Sequence, residues 1–229
     1  MSILRKIQHR WPLLYVVITL AVSGMMLVAF AELARQTVFR QTMNIFDNML
    51  IGLIRYHATP RLDQVMIITT SLSYGYIYGV FVIISLALLA IWRRWWELRV
   101  LVICLLGAHL LNELLKLLFH RARPDALRLV EAAGYSFPSG HAMVALCFYG
   151  MIAFLIARNI SSWYWRFGVT ISSCMLIIGI GVSRIYLGVH YPSDVLAGYA
   201  AGATWLLFLI SLLMWWEQKR MKHMDEDKL

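Results

Sequence analysis

Apolar residues fall into six long runs, at about 13–31, 64–92, 98–119, 141–157, 166–185 and 195–216, separated by shorter polar stretches. A helix needs about 20 mostly apolar residues to cross about 30 Å of hydrocarbon. In lipid the backbone must satisfy its own hydrogen bonds, so runs of this length read as helices. The pattern predicts an all-α fold, an integral membrane bundle of six transmembrane helices, the fourth being the shortest. Between the first two runs, Phe39, Met43, Phe46, Leu50 and Leu53 recur at helical spacing, with Asp47, Asn48 and Arg55 among the intervening positions. This predicts an outer amphipathic helix, lying in the membrane interface or packed over the bundle. Little chain is left for a soluble domain, so residues 1–229 read as one membrane-embedded domain.

Composition agrees. The chain is 61% hydrophobic and 14% charged, where a soluble domain carries about 25% charged residues. Its formal net charge is +9. A basic balance can mark nucleic-acid binding, but no basic stripe with interleaved aromatics lies outside the apolar runs, and no nucleic-acid partner is expected. The cations fit better as flanks of membrane helices. With the N-terminus cytoplasmic, twelve cations fall inside, among them Arg5, Lys6, Arg10, Arg93, Arg94, Arg158, Lys219 and Lys228, and nine outside. Setting aside Lys116, Arg123 and Arg184, which have a chemical reason for their place, leaves twelve against six. Both termini are therefore expected in the cytoplasm.

The remaining features are structural in character. Arg5, Lys6 and Arg10 precede an apolar stretch ending in Ala29-Phe30-Ala31, which resembles a cleavable signal. The stretch exceeds the usual signal length of about 7–15 residues, so an uncleaved first helix is expected. Cys104, Cys147 and Cys174 all fall inside apolar runs and read as packing residues. Trp92, Trp95, Trp96, Trp163, Trp165, Trp215 and Trp216 cluster at the inner helix ends as an interfacial belt. Gly198-x3-Gly202 allows close helix approach, within the bundle by default or across a dimer. Oligomeric state is open. Met221 to Leu229 form a charged tail expected to fray.

Chemistry concentrates in three separated stretches: Lys116-x6-Arg123-Pro124, Pro138-Ser139-Gly140-His141, and Ser183-Arg184-x5-His190-x3-Asp194. All three lie at membrane boundaries, on one face in the orientation above. Cations and backbone N–H groups around phosphate oxygens stabilise the charge that shifts during phosphoryl transfer. Lys116, Arg123 and Arg184 can supply the cations. Ser139 and Gly140 stand at the start of the fourth helix, where unpaired N–H groups attract anions and glycine permits close approach. His141 then sits where it could protonate a leaving oxygen. Asp194 could fix the tautomer of His190 and leave its other nitrogen free to attack phosphorus. Taken singly, each stretch has a structural reading: a helix start, an interfacial cation, a His–Asp pair. Their conjunction at one boundary of a membrane chain points to phosphate carried on a lipid.

These motifs resemble the signature of the type 2 phosphatidic acid phosphatase (PAP2) superfamily, over about residues 60–215, with no departure at the quoted positions. The resemblance implies a membrane lipid phosphatase in which His190 forms a phosphohistidine, Asp194 orients it and His141 protonates the leaving group. Lys116, Arg123, Ser139, Gly140 and Arg184 would hold the phosphate, with no metal and no cofactor. The short Asp125–Phe137 loop resembles the compact bacterial subgroup, which implies a bacterial cytoplasmic membrane and a lipid phosphate or pyrophosphate substrate, and the charge count above places the active site on the outside. Undecaprenyl pyrophosphate, phosphatidylglycerophosphate, phosphatidate and diacylglycerol pyrophosphate all remain open. Two other readings are a lipid phosphotransferase and a non-enzymatic transporter, though the chain lacks the inverted repeats and mid-membrane polar residues that a transporter predicts. His109, Asn112 and Glu113 share a helix face with Lys116, as a support for it or as a helix–helix polar contact. Arg121 and Arg128 could meet a second phosphate or lipid headgroups.

Overall fold

The computed structural model describes residues 12–124 and 128–226. The N-terminal cations Arg5, Lys6 and Arg10, together with Asp125 and Lys228, lie outside the described residues. The described chain is helical: α1 (Pro12–Ala34, extended by a π-helical turn, Arg35–Phe39), α2 (Asn44–Arg55), α3 (Pro60–Ser71), α4 (Tyr76–Ile91), α5 (Trp95–Phe119), α6 (Gly140–Ala157), α7 (Trp163–Tyr186) and α8 (Pro192–Glu226). Six segments are long and apolar enough to cross a membrane, as the hydropathy pattern predicts. α8 stays helical through Glu226, so the first part of the charged tail continues the helix where fraying was expected.

α6 is the central helix, packed against α5, α7 and α8, while α1 lies along α8. Leu101, Cys104, Ala108, Met143, Cys147, Met151 and Leu213 form the core between them. Two hydroxyl contacts join α1 to α8: Ser23 Oγ donates to Thr204 O (2.8 Å) and Ser211 Oγ to Thr19 Oγ1 (2.6 Å). Outward positions stay apolar, with Val28, Ile83, Leu106, Leu110, Leu114 and Ile178 exposed, as a lipid-facing surface requires. Cys174 is on that exposed surface, so only two of the three cysteines are packing residues.

The second apolar run is interrupted. It breaks at Leu72–Gly75, where Gly75 takes φ 82°, a left-handed conformation that suits glycine. Tyr149 Oη donates to the carbonyl of Leu72 (2.6 Å), filling one acceptor that the break exposes. The seven tryptophans of the expected belt lie at one end of the bundle, while Trp205 packs within it, its Nε1 donating to Cys104 O (3.0 Å). Trp92, Trp95, Trp163 and Trp165 are exposed at that end, but Trp96 and Trp216 stack on each other at 3.9 Å and tie α5 to α8. The opposite end holds the C-terminus of α5, the N-terminus of α6, the C-terminus of α7 and the N-terminus of α8. All three motifs sit at that end.

Candidate active site

Phe119 ends α5, and His120 caps it in the left-handed conformation (φ 47°). The chain then turns back over the helix ends, bringing Arg121 and Arg123 inward. A cavity of about 380 Å³ opens here, lined by Lys116, Arg123, Gly140, His141, Arg184 and His190 among others. Residues that are 74 positions apart in sequence, Lys116 and His190, thus face one space. Ser139 is buried at the N-cap of α6 and Asp194 lies buried behind His190. All eight residues singled out from the sequence come together.

Arg123 knits the loops around the cavity. Its guanidinium donates to the carbonyls of Ala133 (2.8 Å), Gly134 (3.0 Å) and Val189 (2.9 Å). Burial draws its pKa below the usual value, and it remains a cation. Arg123 Nη1 also stands 3.2 Å from His190 Nε2. Arginine has only donors, so Nε2 accepts this bond and the ring proton resides on Nδ1. Nδ1 faces Asp194 Oδ2 at 3.6 Å and Ser136 Oγ at 3.4 Å. Ser136 Oγ donates to the same carboxylate oxygen (2.5 Å). His190 is therefore neutral, with its unprotonated nitrogen toward the cavity. Burial pushes its pKa down to about 4, against the opposing pull of Asp194.

The α6 N-terminus forms the opposite wall. Asp194 O accepts the Ser139 N–H (3.0 Å), which holds the turn against α8. A Cβ on Gly140 would stand 2.7 Å from Asn112 Oδ1, so any larger residue would displace the Asn112 amide from the turn. Asn112 Nδ2 also reaches Pro138 O at 3.4 Å. Glu113 Oε1 accepts from Lys116 Nζ (2.9 Å). The polar face of α5 thus does both things open from sequence: Glu113 supports Lys116, and Asn112 makes the contact to the next helix. His109 joins them in the cavity wall. Among the described residues, Ser139 Oγ and Arg184 Nε are buried without a hydrogen-bond partner.

Several residues escaped the sequence reading. Thr70 Oγ1 accepts from Arg184 Nη1 (2.9 Å), and the Tyr74 ring lies 5.2 Å from that of His141. Thr70 is in the last turn of α3 and Tyr74 in the α3–α4 break that follows, which the hydropathy pattern did not show. Ser136 belongs to a loop whose register no motif fixes. Asp47 is on the α2 helix expected either in the membrane interface or packed over the bundle; it is wholly buried, while Ile45, Met49 and Leu53 on α2 are exposed. Arg121, open from sequence to a second phosphate or to lipid headgroups, is turned into the protein. Its guanidinium is held by Asp47 Oδ2 (2.9 Å) and Asp194 Oδ1 (2.5 Å). Arg128 donates to Pro124 O (2.9 and 3.1 Å).

The PAP2 superfamily model matches residues 96–221, which take in all three motifs. The chain belongs to the PAP2 superfamily. It is 33% identical over 153 residues to phosphatidylglycerophosphatase B of Bacillus subtilis, covering 66% of this chain and 74% of that protein. It is 30% identical over 171 residues to the undecaprenyl-diphosphatase of Sulfolobus acidocaldarius, covering 72% and 76%. The crystal structure of the transmembrane PAP2-type phosphatidylglycerolphosphate phosphatase from Bacillus subtilis superimposes with a TM-score of 0.76 at 28% identity, over 86% of this chain and 96% of that one. Aquifex aeolicus LpxE gives 0.56 at 27% identity, over 72% and 93%. This PAP2 protein is accordingly a multi-pass membrane lipid phosphatase, a hydrolase of phosphoester or diphosphate bonds.

Proposed function

We propose that this phosphatase hydrolyses a lipid phosphomonoester or diphosphate through a phosphohistidine on His190. The observation that carries this reading is the His190 ring. Its Nε2 lone pair faces the cavity, where Arg123 donates to it, while its proton faces Asp194. Lys116, Arg123 and Arg184, with Ser139 Oγ and the first N–H groups of α6, hold the phosphate oxygens and stabilise the charge that moves onto them. As Arg123 Nη1 shifts from Nε2 to a phosphate oxygen, the freed Nε2 lone pair attacks phosphorus and the bond to the lipid oxygen breaks. His141 gives that oxygen a proton and then takes one from the water that displaces His190. The products are a dephosphorylated lipid and inorganic phosphate.

The site lies on the outer face of a bacterial cytoplasmic membrane, with both termini inside. Positive-inside charge supports this orientation. The relatives' names draw the substrate from phosphatidylglycerophosphate and undecaprenyl pyrophosphate, with phosphatidate and diacylglycerol pyrophosphate as further members of the class. The test is phosphate release from the detergent-solubilised enzyme across these four lipids, wild type against His190→Ala. Turnover of the preferred lipid should fall by about a thousandfold or more. Near-normal turnover in the variant would remove His190 as nucleophile.

A further inference from the structure

Asp47 lies in α2, outside the residues matched by the family model, and belongs to none of the three motifs. Its carboxylate is wholly buried and fully engaged. Oδ1 accepts the Ser193 N–H (2.9 Å), and Oδ2 accepts the Ser193 hydroxyl (2.6 Å) and Arg121 Nη2 (2.9 Å). This arrangement answers a local need. Pro192 opens α8 and Tyr191 occupies the cap position, where a phenol cannot reach the first-turn N–H groups as a short polar side chain does. Asp47 supplies that acceptor from another helix, at the positive end of the α8 dipole.

The same contacts reach the nucleophile. Arg121 is clamped between two carboxylates, with Nη2 on Asp47 and Nη1 on Asp194 Oδ1, and its plane lies 4.1 Å over the Tyr191 ring. Arg121 Nη1 donates to Ser193 Oγ as well (2.8 Å). Asp194 Oδ2 meanwhile accepts the Tyr191 N–H (2.9 Å) and the Ser136 hydroxyl. Each Asp194 oxygen is thereby fixed, and with it the face offered to His190 Nδ1. We infer that Asp47 is a positioning residue for phosphoryl transfer, acting through Arg121 and Ser193 to hold Asp194 against His190. The inference rests on the phosphohistidine reading above. Asp47 is absent from the cavity wall, as is Arg121. Its loss should therefore disturb the nucleophile's aim and leave the phosphate cradle intact.

Asp47→Asn preserves shape and keeps an oxygen for the Ser193 N–H, but removes the charge that restrains Arg121. Release of the dephosphorylated lipid would be measured per folded enzyme, with inhibition by inorganic phosphate reporting on the cradle. The expected kcat falls about tenfold to a hundredfold while KM and the phosphate Ki stay within about twofold. Because the effect runs through Arg121, Asp47→Asn combined with Arg121→Lys should be little slower than Arg121→Lys alone. Wild-type kcat, a Ki that rises as kcat falls, or a multiplicative double variant would each overturn the assignment. If Asp47→Asn does not fold, Ser193→Ala removes one shared hydroxyl and must show the same kcat-only loss at smaller size. His190→Ala separates the two levels. Turnover retained there sinks the phosphohistidine reading itself. An inactive His190→Ala beside a fully active Asp47→Asn sinks only the role of Asp47.

Discussion

At the scale of single residues, the state of His190 follows from what surrounds it. Arg123 can only donate, so Nε2 must accept; Asp194 and Ser136 then face the protonated Nδ1. Burial disfavours the imidazolium and pushes the pKa down to about 4, below the ordinary value of 6.5. A lowered pKa means that the neutral, attacking form survives as pH falls through 6 and 5. The acid limb of kcat/KM, corrected for titration of the substrate, should therefore lie near pH 4 in the free enzyme. A limb near 6.5 would show that the buried environment does not set the nucleophile's protonation. Sequence reached these residues because a nucleophile, its acid and its cations are chemically distinctive and stand at helix ends. Ser136, Thr70 and Asp47 were not legible in the same way. Each is an ordinary polar residue whose role is set by a partner between 58 and 146 positions away.

Among the helices, the approach of α8 to α6 fixes the shape of the phosphate-facing turn. A Cβ on Gly198 would stand 2.5 Å from the Ser139 carbonyl oxygen and 3.1 Å from Ala142 Cβ, and one on Gly202 would be 3.1 Å from the Met143 carbonyl. The Gly198-x3-Gly202 pair thus seats a helix within the same chain. Backbone cannot move aside as a flexible side chain can, so Gly198→Ala must push α8 from α6 and shift Ser139 with it. Overpacking of this kind costs about 1–3 kcal/mol, read as a lower unfolding temperature in detergent, and phosphate release should fall alongside. Gly79 and Gly168 sit in helices with nothing within 4 Å of an added Cβ. Alanine there should be neutral or stabilise by up to about 1 kcal/mol. If Gly198→Ala behaves like those two, the α6–α8 contact does not position the turn. Hydropathy located these helices well because lipid imposes a long apolar run on each. It missed the break at Leu72–Gly75 because Leu72, Tyr74 and Tyr76 keep the run apolar while Gly75 turns the backbone.

Across the whole molecule, the two ends of the bundle differ in chemistry. One carries the cavity, with Lys116, Arg123 and Arg184 around His190. The other carries the exposed tryptophans and the Arg158–Glu217 pair (2.7 Å). Cations at the cavity end work against a simple reading of the positive-inside rule. Their count favours an outer cavity weakly, twelve against nine, and more strongly, twelve against six, once those needed for phosphate are set aside. A direct test places one thiol at each end. Glu131 is exposed at the cavity wall, and Ser161 is exposed in the turn between α6 and α7 at the opposite end. The native thiols interfere little: Cys104 and Cys147 are buried, and Cys174 lies within a membrane span, where an aqueous reagent does not reach. In right-side-out spheroplasts, a membrane-impermeant maleimide should label Glu131→Cys and leave Ser161→Cys unlabelled until the membrane is opened. The reverse pattern would put the cavity in the cytoplasm, and the substrate would then be drawn from the inner leaflet.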